Sequence, residues 1–223
     1  MITKTKGIVL SHIPYGETSI IAKIYTEEFG YQGFIVNSVR SSKSKQGMAY
    51  FQPFTFLDLV IYMKSTRDLQ RISEFKPIMS WYADSIKKQT ILLFLAEVLD
   101  KLLRNEHESQ PSLFRFLEAG LTFFKQAELV SNFHLQFLLK LSNHLGLDVM
   151  SGHELFQNMN RVTDQAELEA LINALIAADF SDSIDSSGEL RFHASEALIQ
   201  FYHHHVPGFG QVQSLKVLRQ IFR

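Results

Sequence analysis

Thr18-Ser19-Ile20-Ile21-Ala22-Lys23-Ile24-Tyr25-Thr26 alternates as a half-buried strand does. Ile20, Ala22 and Ile24 fall on one side, and Ile21, Lys23 and Tyr25 on the other, because successive side chains of a strand point to opposite faces. Before it, Gly7 to Ile13 reads as a first strand, with a turn at Pro14-Tyr15-Gly16. After it, Glu28-Phe29-Gly30 punctuates the chain and Tyr31 to Val39 makes a third strand. A fourth runs from Phe54 to Met63, with Leu57, Leu59, Ile61 and Met63 opposed to Phe56, Asp58, Val60 and Tyr62. Lys64-Ser65-Thr66-Arg67-Asp68 is a polar turn, and Leu69 to Lys76 is a last strand that Pro77 ends. Five short strands in about eighty residues predict a small closed Greek-key barrel such as an OB-fold, with an SH3-like barrel as the main competitor.

Beyond residue 80 the apolar period changes from two to 3.6. From Asp84 to Arg104, Ile91, Leu95, Val98, Leu99 and Leu102 form one helical stripe. Pro111 opens a second helix, along which Leu113, Leu117, Leu121 and Phe124 align. Phe133, Phe137, Leu141 and Leu145 line a third, closed by Gly146 where a left-handed cap is favoured. Asp164-Gln165-Ala166-Glu167 resembles a capping box at the head of a fourth, with Leu168, Leu171, Ile172 and Leu175. Ser181 to Gly188 reads as a loop, followed by helices around Ser195 to His204 and Gln213 to Phe222. The expected class is α+β: an OB-fold barrel over residues 1–80 and an all-α helical domain over residues 81–223.

The 223 residues include no cysteine, which excludes disulfides and thiolate metal sites. Met1 to Gly7 lacks the apolar stretch of a signal peptide, and no apolar run is long enough to span a bilayer, so a cytoplasmic location is expected. The net charge of -1 conceals a gradient. Residues 1–80 carry ten Lys and Arg against six Asp and Glu, whereas the remainder carries twelve against seventeen. Chance segregation is the plain reading of that gradient; the functional one is that a polyanion meets the front of the chain.

No motif for catalysis stands out. The chain has no Walker A loop, no Gly-x-Ser-x-Gly elbow and no cysteine nucleophile. Gly208-Phe209-Gly210 lacks the third glycine and the preceding strand of a dinucleotide fingerprint, so it reads as a turn between helices. In His153-Glu154-Leu155-Phe156-Gln157 a glutamine replaces the second ligand of a zinc-protease helix. His203, His204 and His205 would lie about 100° apart on a helix, too divergent for one ion, and read as a solvated helix end. No metal, cofactor or catalytic residue is expected, and the protein is not read as an enzyme.

Cations point instead to nucleic acid. Val39-Arg40-Ser41-Ser42-Lys43-Ser44-Lys45-Gln46-Gly47 holds three cations, no acid and little that could be buried. An OB-fold ligand crosses strands two and three, flanked by the loops between strands one and two and strands four and five. Lys23 and Tyr25 share a face of strand two, Tyr15 lies in the first loop, and Lys64 and Arg67 lie in the second. Lys23, Arg40, Lys43, Lys45, Lys64 and Arg67 are therefore candidate phosphate contacts. Tyr25 either stacks on bases or packs beneath the helical segment. In the helical part, Phe114, Phe116, Phe123, Phe124, Phe133 and Phe137 exceed what one stripe needs. Most should be core, and any left exposed beside Arg115, Lys125 or Lys140 would form a pocket for an acidic-aromatic peptide.

Longer stretches carry a resemblance. Lys4-Thr5-Lys6-Gly7-Ile8-Val9-Leu10, Tyr15-Gly16-Glu17-Thr18-Ser19, Val39 to Lys45, Phe51-Gln52-Pro53-Phe54 and Leu69-Gln70-Arg71-Ile72 occur in that order. Phe94-Leu95-Ala96-Glu97-Val98-Leu99, Asn132-Phe133-His134-Leu135 and Pro207-Gly208-Phe209-Gly210 with Ser214 to Leu218 follow. Together they resemble the RecO family of DNA repair proteins, recombination mediators, most closely its Bacteroidetes members. The resemblance implies an OB-fold followed by a helical domain. It also implies binding of single- and double-stranded DNA, annealing of complementary strands and, with RecR, loading of RecA onto strands coated by single-stranded DNA-binding protein. The coating protein would be met through its acidic C-terminal tail. Some family members hold zinc on four cysteines; this chain, without cysteine, would hold that region by packing alone.

Overall fold

A computed structural model describes residues 2–41, 47–64, 66–80, 85–128, 130–156 and 165–221. Five strands come first: β1 (Ile2–Tyr15), β2 (Ser19–Thr26), β3 (Gly30–Val36), β4 (Phe56–Tyr62) and β5 (Leu69–Met79). They close into a barrel in the order β1-β2-β3-β5-β4, antiparallel throughout except for the parallel pair β3–β5. This order is that of an OB-fold, as the strand pattern predicts. β1 is long enough to pair with β4 through Ile2 to Ile8 and with β2 through Gly7 to Tyr15. An irregularity between Val9 and Ser11 bends it from one neighbour to the other.

The alternation of β2 translates directly into the barrel core. Ile20, Ala22 and Ile24 point inward with Val9, Phe34, Val36, Leu57, Leu59, Ile61 and Ile72. Each such aliphatic side chain removed from water contributes about 1.5–3 kcal/mol. Strand β5 runs past Pro77, contrary to the sequence expectation. Pro77 sits opposite Leu57 at a register shift, where a missing ladder N–H is tolerated.

Among the described residues seven α-helices follow: α1 (Ile86–Leu102), α2 (Pro111–Gln126), α3 (Phe133–His144), α4 (Gly152–Phe156), α5 (Gln165–Ala177), α6 (Gly188–His205) and α7 (Leu215–Ile221). The stripes read from sequence are buried: Ile91, Leu95, Val98, Leu99 and Leu102 on α1, and Leu113, Leu117, Leu121 and Phe124 on α2. Gly146 takes φ +67° after α3, as a left-handed cap requires. One reading changes: α6 begins seven residues before Ser195, because Ser187 caps it by accepting from the Leu190 N–H. The short α4 is a further helix between the third and fourth read from sequence. The proposed capping residue Asp164 lies outside the described residues.

The chain divides into two compact units, residues 1–84 with 96–118, and residues 85–95 with 119–223. In the first, the barrel carries the segment from the end of α1 to the start of α2. In the second, α3 supplies much of the core through Phe133, Leu135, Phe137, Leu138 and Leu141. Among the described residues, no helix is long and apolar enough to cross a membrane.

Candidate nucleic-acid interface

The outer face of β1, β2, β3 and β5 follows from register. Ile13 pairs with Ile21, Ile21 with Ile35, Ile35 with Arg71, and Arg71 with Tyr62. These five residues form one belt outside the barrel. Ile13 is 56% exposed and Tyr62 42%, large values for apolar side chains on a sheet. Tyr15, beyond the β1 end of this belt, is 49% exposed. An apolar, partly aromatic strip with an arginine in it offers surfaces on which unpaired bases stack.

Two residues further along each strand lies the row Ser11, Lys23, Gly33 and Leu69. Here a cleft of about 470 Å³ opens, lined by Lys23, Tyr31, Gly33, Arg67, Arg104 and His107 among others. Lys23 is half-buried, its Nζ 5.8 Å from the centre of the Tyr31 ring. Arg67 is exposed on the β4–β5 loop, and the buried Gln70 amide fixes that loop. Gln70 accepts from the Lys64 N–H at 2.9 Å and donates to the Lys64 and Arg67 carbonyls at 3.0 and 2.6 Å. Lys64 itself is exposed at the base of this loop.

Arg40 is strapped to the β1–β2 turn. Its N–H donates to the Thr18 carbonyl at 2.9 Å and its Nη1 to the Gly16 carbonyl at 3.1 Å. Lys43 and Lys45 lie outside the described residues.

Tyr25 is a correction. Its side chain is fully buried and its ring stacks on Phe114 at 6.4 Å between centroids, so it offers no face to a base. Burial, reinforced by the Glu106 charge, holds its hydroxyl well above the usual tyrosine range. The ring is on the outer face of β2, as alternation predicts, but the segment 96–118 covers that end of the face. Of the two readings open from sequence, packing is the one the structure bears.

The same segment brings residues that sequence reasoning missed. Tyr31 donates to Asp100 Oδ1 at 2.7 Å, and its N–H to the Glu106 carbonyl at 2.6 Å. Burial, with the Asp100 charge and hydrogen bond, raises the Tyr31 hydroxyl far above its ordinary value. Gly30, at φ +58°, lies against the Glu106 and Glu108 backbone, where any Cβ would collide. Only glycine lets the segment approach there, and the approach sets Arg104 and His107 at the cleft.

Of the peptide-site candidates, Arg115 belongs to the barrel unit, exposed, with its Nε donating to the Pro111 carbonyl at 3.1 Å. Lys125 and Lys140 belong to the helical unit. Lys125 is exposed on α2, whereas Lys140 sits 5.8 Å from the Phe180 ring centre and 3.9 Å from Asp179. Phe180 stacks with Phe123 and Phe137 in an aromatic cluster that includes Phe133. Phe114, Phe124, Phe133 and Phe137 are core, while Phe116 and Phe123 keep partial exposure. His203, His204 and His205 are exposed at the end of α6, and among the described residues no cluster suits a metal.

Residues 1–81 match the family model for the recombination protein O N-terminal domain, and residues 83–150 that for its C-terminal domain. The chain belongs to the RecO family. It is 34% identical to the DNA repair protein RecO of Flavobacterium psychrophilum, over 98% of both chains. To the proteins of that name from Phocaeicola vulgatus and Bacteroides fragilis it is 32% and 31% identical, over the full length of each. Membership of RecO places the chain in DNA repair and recombination and agrees with the barrel and the helices behind it.

Proposed function

We propose that this RecO-family chain is a recombination mediator that binds single- and double-stranded DNA and anneals complementary strands. With RecR it helps load RecA onto strands coated by single-stranded DNA-binding protein. The observation that carries the reading is the Ile13–Ile21–Ile35–Arg71–Tyr62 belt, exposed at Ile13, Arg71 and Tyr62 and half-buried between, beside a cationic cleft on an OB-fold barrel. Cations on the barrel screen the phosphates of two strands, the belt takes unpaired bases, and base pairing supplies the free energy of annealing. No bond is made or broken, so the reading assigns the chain no catalytic step.

Strand annealing of bare and protein-coated DNA, with and without RecR, tests it. Faster annealing on bare DNA, and RecR-dependent RecA loading on coated DNA, are the expected results. Failure on both substrates would refute the reading.

A second reading rests on the near-neutral total charge and on Lys140 over Phe180: an adaptor that grips proteins and binds DNA weakly. In that case an acidic tail peptide of the coating protein binds near Arg115, Lys125 or Lys140, while DNA affinity vanishes at moderate salt.

A further inference from the structure

From the residues that meet around Gly33, we infer that the cleft is a phosphate subsite completed by Arg104 and His107, which lie outside the five strands. The inference rests on the DNA-binding reading and says where one phosphate of the strand sits.

Charge selects the ligand class. Lys23, Arg67 and Arg104 line the cleft with one carboxylate, Asp68, and Asp100 pairs with Arg104 beside it, so a net positive charge remains to attract an anion. Gly33 is buried because Leu69 and Lys23 close over it: a Cβ there would lie 2.8 Å from Leu69 Cδ2 and 3.1 Å from Lys23 Nζ. The absence of a side chain at Gly33 lets the Lys23 ammonium settle against the main chain at the cleft.

Donors remain available and are held in place. Arg104 engages Asp100, Nη2 to Oδ2 at 3.4 Å, and the Tyr31 hydroxyl, contacts that do not exhaust its five N–H groups. Asp100 is itself tied to the barrel by the Tyr31 hydroxyl at 2.7 Å and Ser11 Oγ at 3.3 Å. His107 donates from Nδ1 to the Tyr31 carbonyl at 3.0 Å, which fixes the ring; its Nε2 donates to a phosphate only in the imidazolium form. Ser109 Oγ donates to the Glu27 carbonyl at 2.8 Å and pins the far end of the segment. Little ordering is left to be done when an anion binds.

Spacing favours a nucleic-acid phosphate over a carboxylate. The Lys23–Gly33–Leu69 row is two residues from the Ile21–Ile35–Arg71 row, roughly 7 Å at the rise of a strand. A strand whose phosphate occupies the cleft can lay the attached base on the belt.

The test measures binding of the full chain to 3′-labelled oligo-dT by fluorescence anisotropy, with either a 5′-hydroxyl or a 5′-phosphate. Between about 50 and about 200 mM salt, Arg104→Gln and Lys23→Gln should each weaken binding about tenfold and flatten the log–log salt slope by about 0.7. Lys4→Gln, outside the cleft, should match the unaltered protein. A loss equal on both oligonucleotides assigns the site to an internal phosphate. A loss confined to the 5′-phosphorylated one assigns it to a strand end. Thermal unfolding checks that each variant is folded, and Gly33→Ala, which crowds the Lys23 ammonium, gives a second route to the same weakening. Unchanged affinity and slope in both cation variants, with the unaltered protein binding well, would overturn the subsite. An unaltered protein that binds neither oligonucleotide overturns the DNA-binding reading beneath it.

Discussion

Two clefts of similar volume open on the outside of one barrel, about 470 Å³ beside Gly33 and about 500 Å³ between β1, β4 and β5. Their volumes do not distinguish them; their charges do. Lys23, Arg67 and Arg104 in the first meet Asp68, with Asp100 paired to Arg104 beside it, whereas Lys4, Lys6 and Lys76 in the second meet Glu27, Glu28, Asp58 and Glu74. The second face neutralises itself across strands, because Lys6 pairs with Asp58, Asp58 with Lys76, and Val60 separates Lys4 from Glu74. Lys6 also reaches Glu118 at 3.6 Å. A lysine on a sheet is therefore open to a ligand or engaged by a cross-strand partner according to what its register sets opposite it. Lys23 has Gly33 there, and Lys6 has Asp58.

The largest disturbance removes both faces together, since they share one core. Phe34 is fully buried inside the barrel, and Phe34→Ala should cost about 3–5 kcal/mol in chemical denaturation. A loss below about 1 kcal/mol would mean that the barrel collapses around the gap.

Reversing charge separates the faces. Lys23→Glu with Arg104→Glu should weaken single-strand binding about a hundredfold, since two attractions become two repulsions. Lys4→Glu with Lys76→Glu should alter it less than about threefold, because that face starts balanced. Equal losses from the two pairs would show that net charge, and not the cleft, governs affinity.

The helical unit supplies a third case, a titratable group kept from charge altogether. His134 is buried, donates from Nε2 to Ser195 at 3.1 Å, and has its pKa pushed down to about 3, by burial first and then by the Arg191 charge. Between pH 6.5 and about 3 the unfolded chain takes a proton that the folded chain refuses, so stability falls as pH falls through that window. The slope due to this one group approaches about 1.4 kcal/mol per pH unit. His134→Gln should remove that increment from the pH dependence of unfolding. An unchanged profile would locate the acid sensitivity elsewhere.

The smallest effect belongs to the balanced face. Asp58→Asn interrupts an exposed ladder of charges and should shift stability by less than about 1 kcal/mol. A larger loss would show that the ladder helps to hold the barrel closed.

How far the sequence could be read depended on how far apart the cooperating residues are. Alternation within β2 was enough to find the inner face, since Ile20, Ala22 and Ile24 need only their own spacing to declare it. The helical stripes and the Gly146 cap were legible for the same local reason. Alternation also put Lys23 and Tyr25 on one outer face but had no means of telling that residues 96–118 cover Tyr25 and leave Lys23 at a cleft. Arg104 and His107 follow β3 by some seventy residues, and the only local trace of their arrival is Gly30, whose positive φ admits the Glu106 backbone. Arg71 and Tyr62 belong to the belt through pairing register, which strand patterns do not disclose. Pro77 looked like a stop because a ladder normally wants its N–H, and the register shift opposite Leu57 removes that need.

The parallel seam between β3 and β5 is the shortest ladder in the barrel, only Gly33 with Leu69, Phe34 with Gln70, and Ile35 with Arg71. It is also the last contact the chain can make, since β5 must arrive before the sheet closes on itself. The seam is where the barrel should breathe most easily, and its outer surface carries both the belt and the row that floors the cleft. A strand lying across Ile35 and Arg71 would act as a clasp, slowing the opening of the barrel it binds. DNA would then be a ligand and, for as long as it stays, a sixth strand's worth of closure.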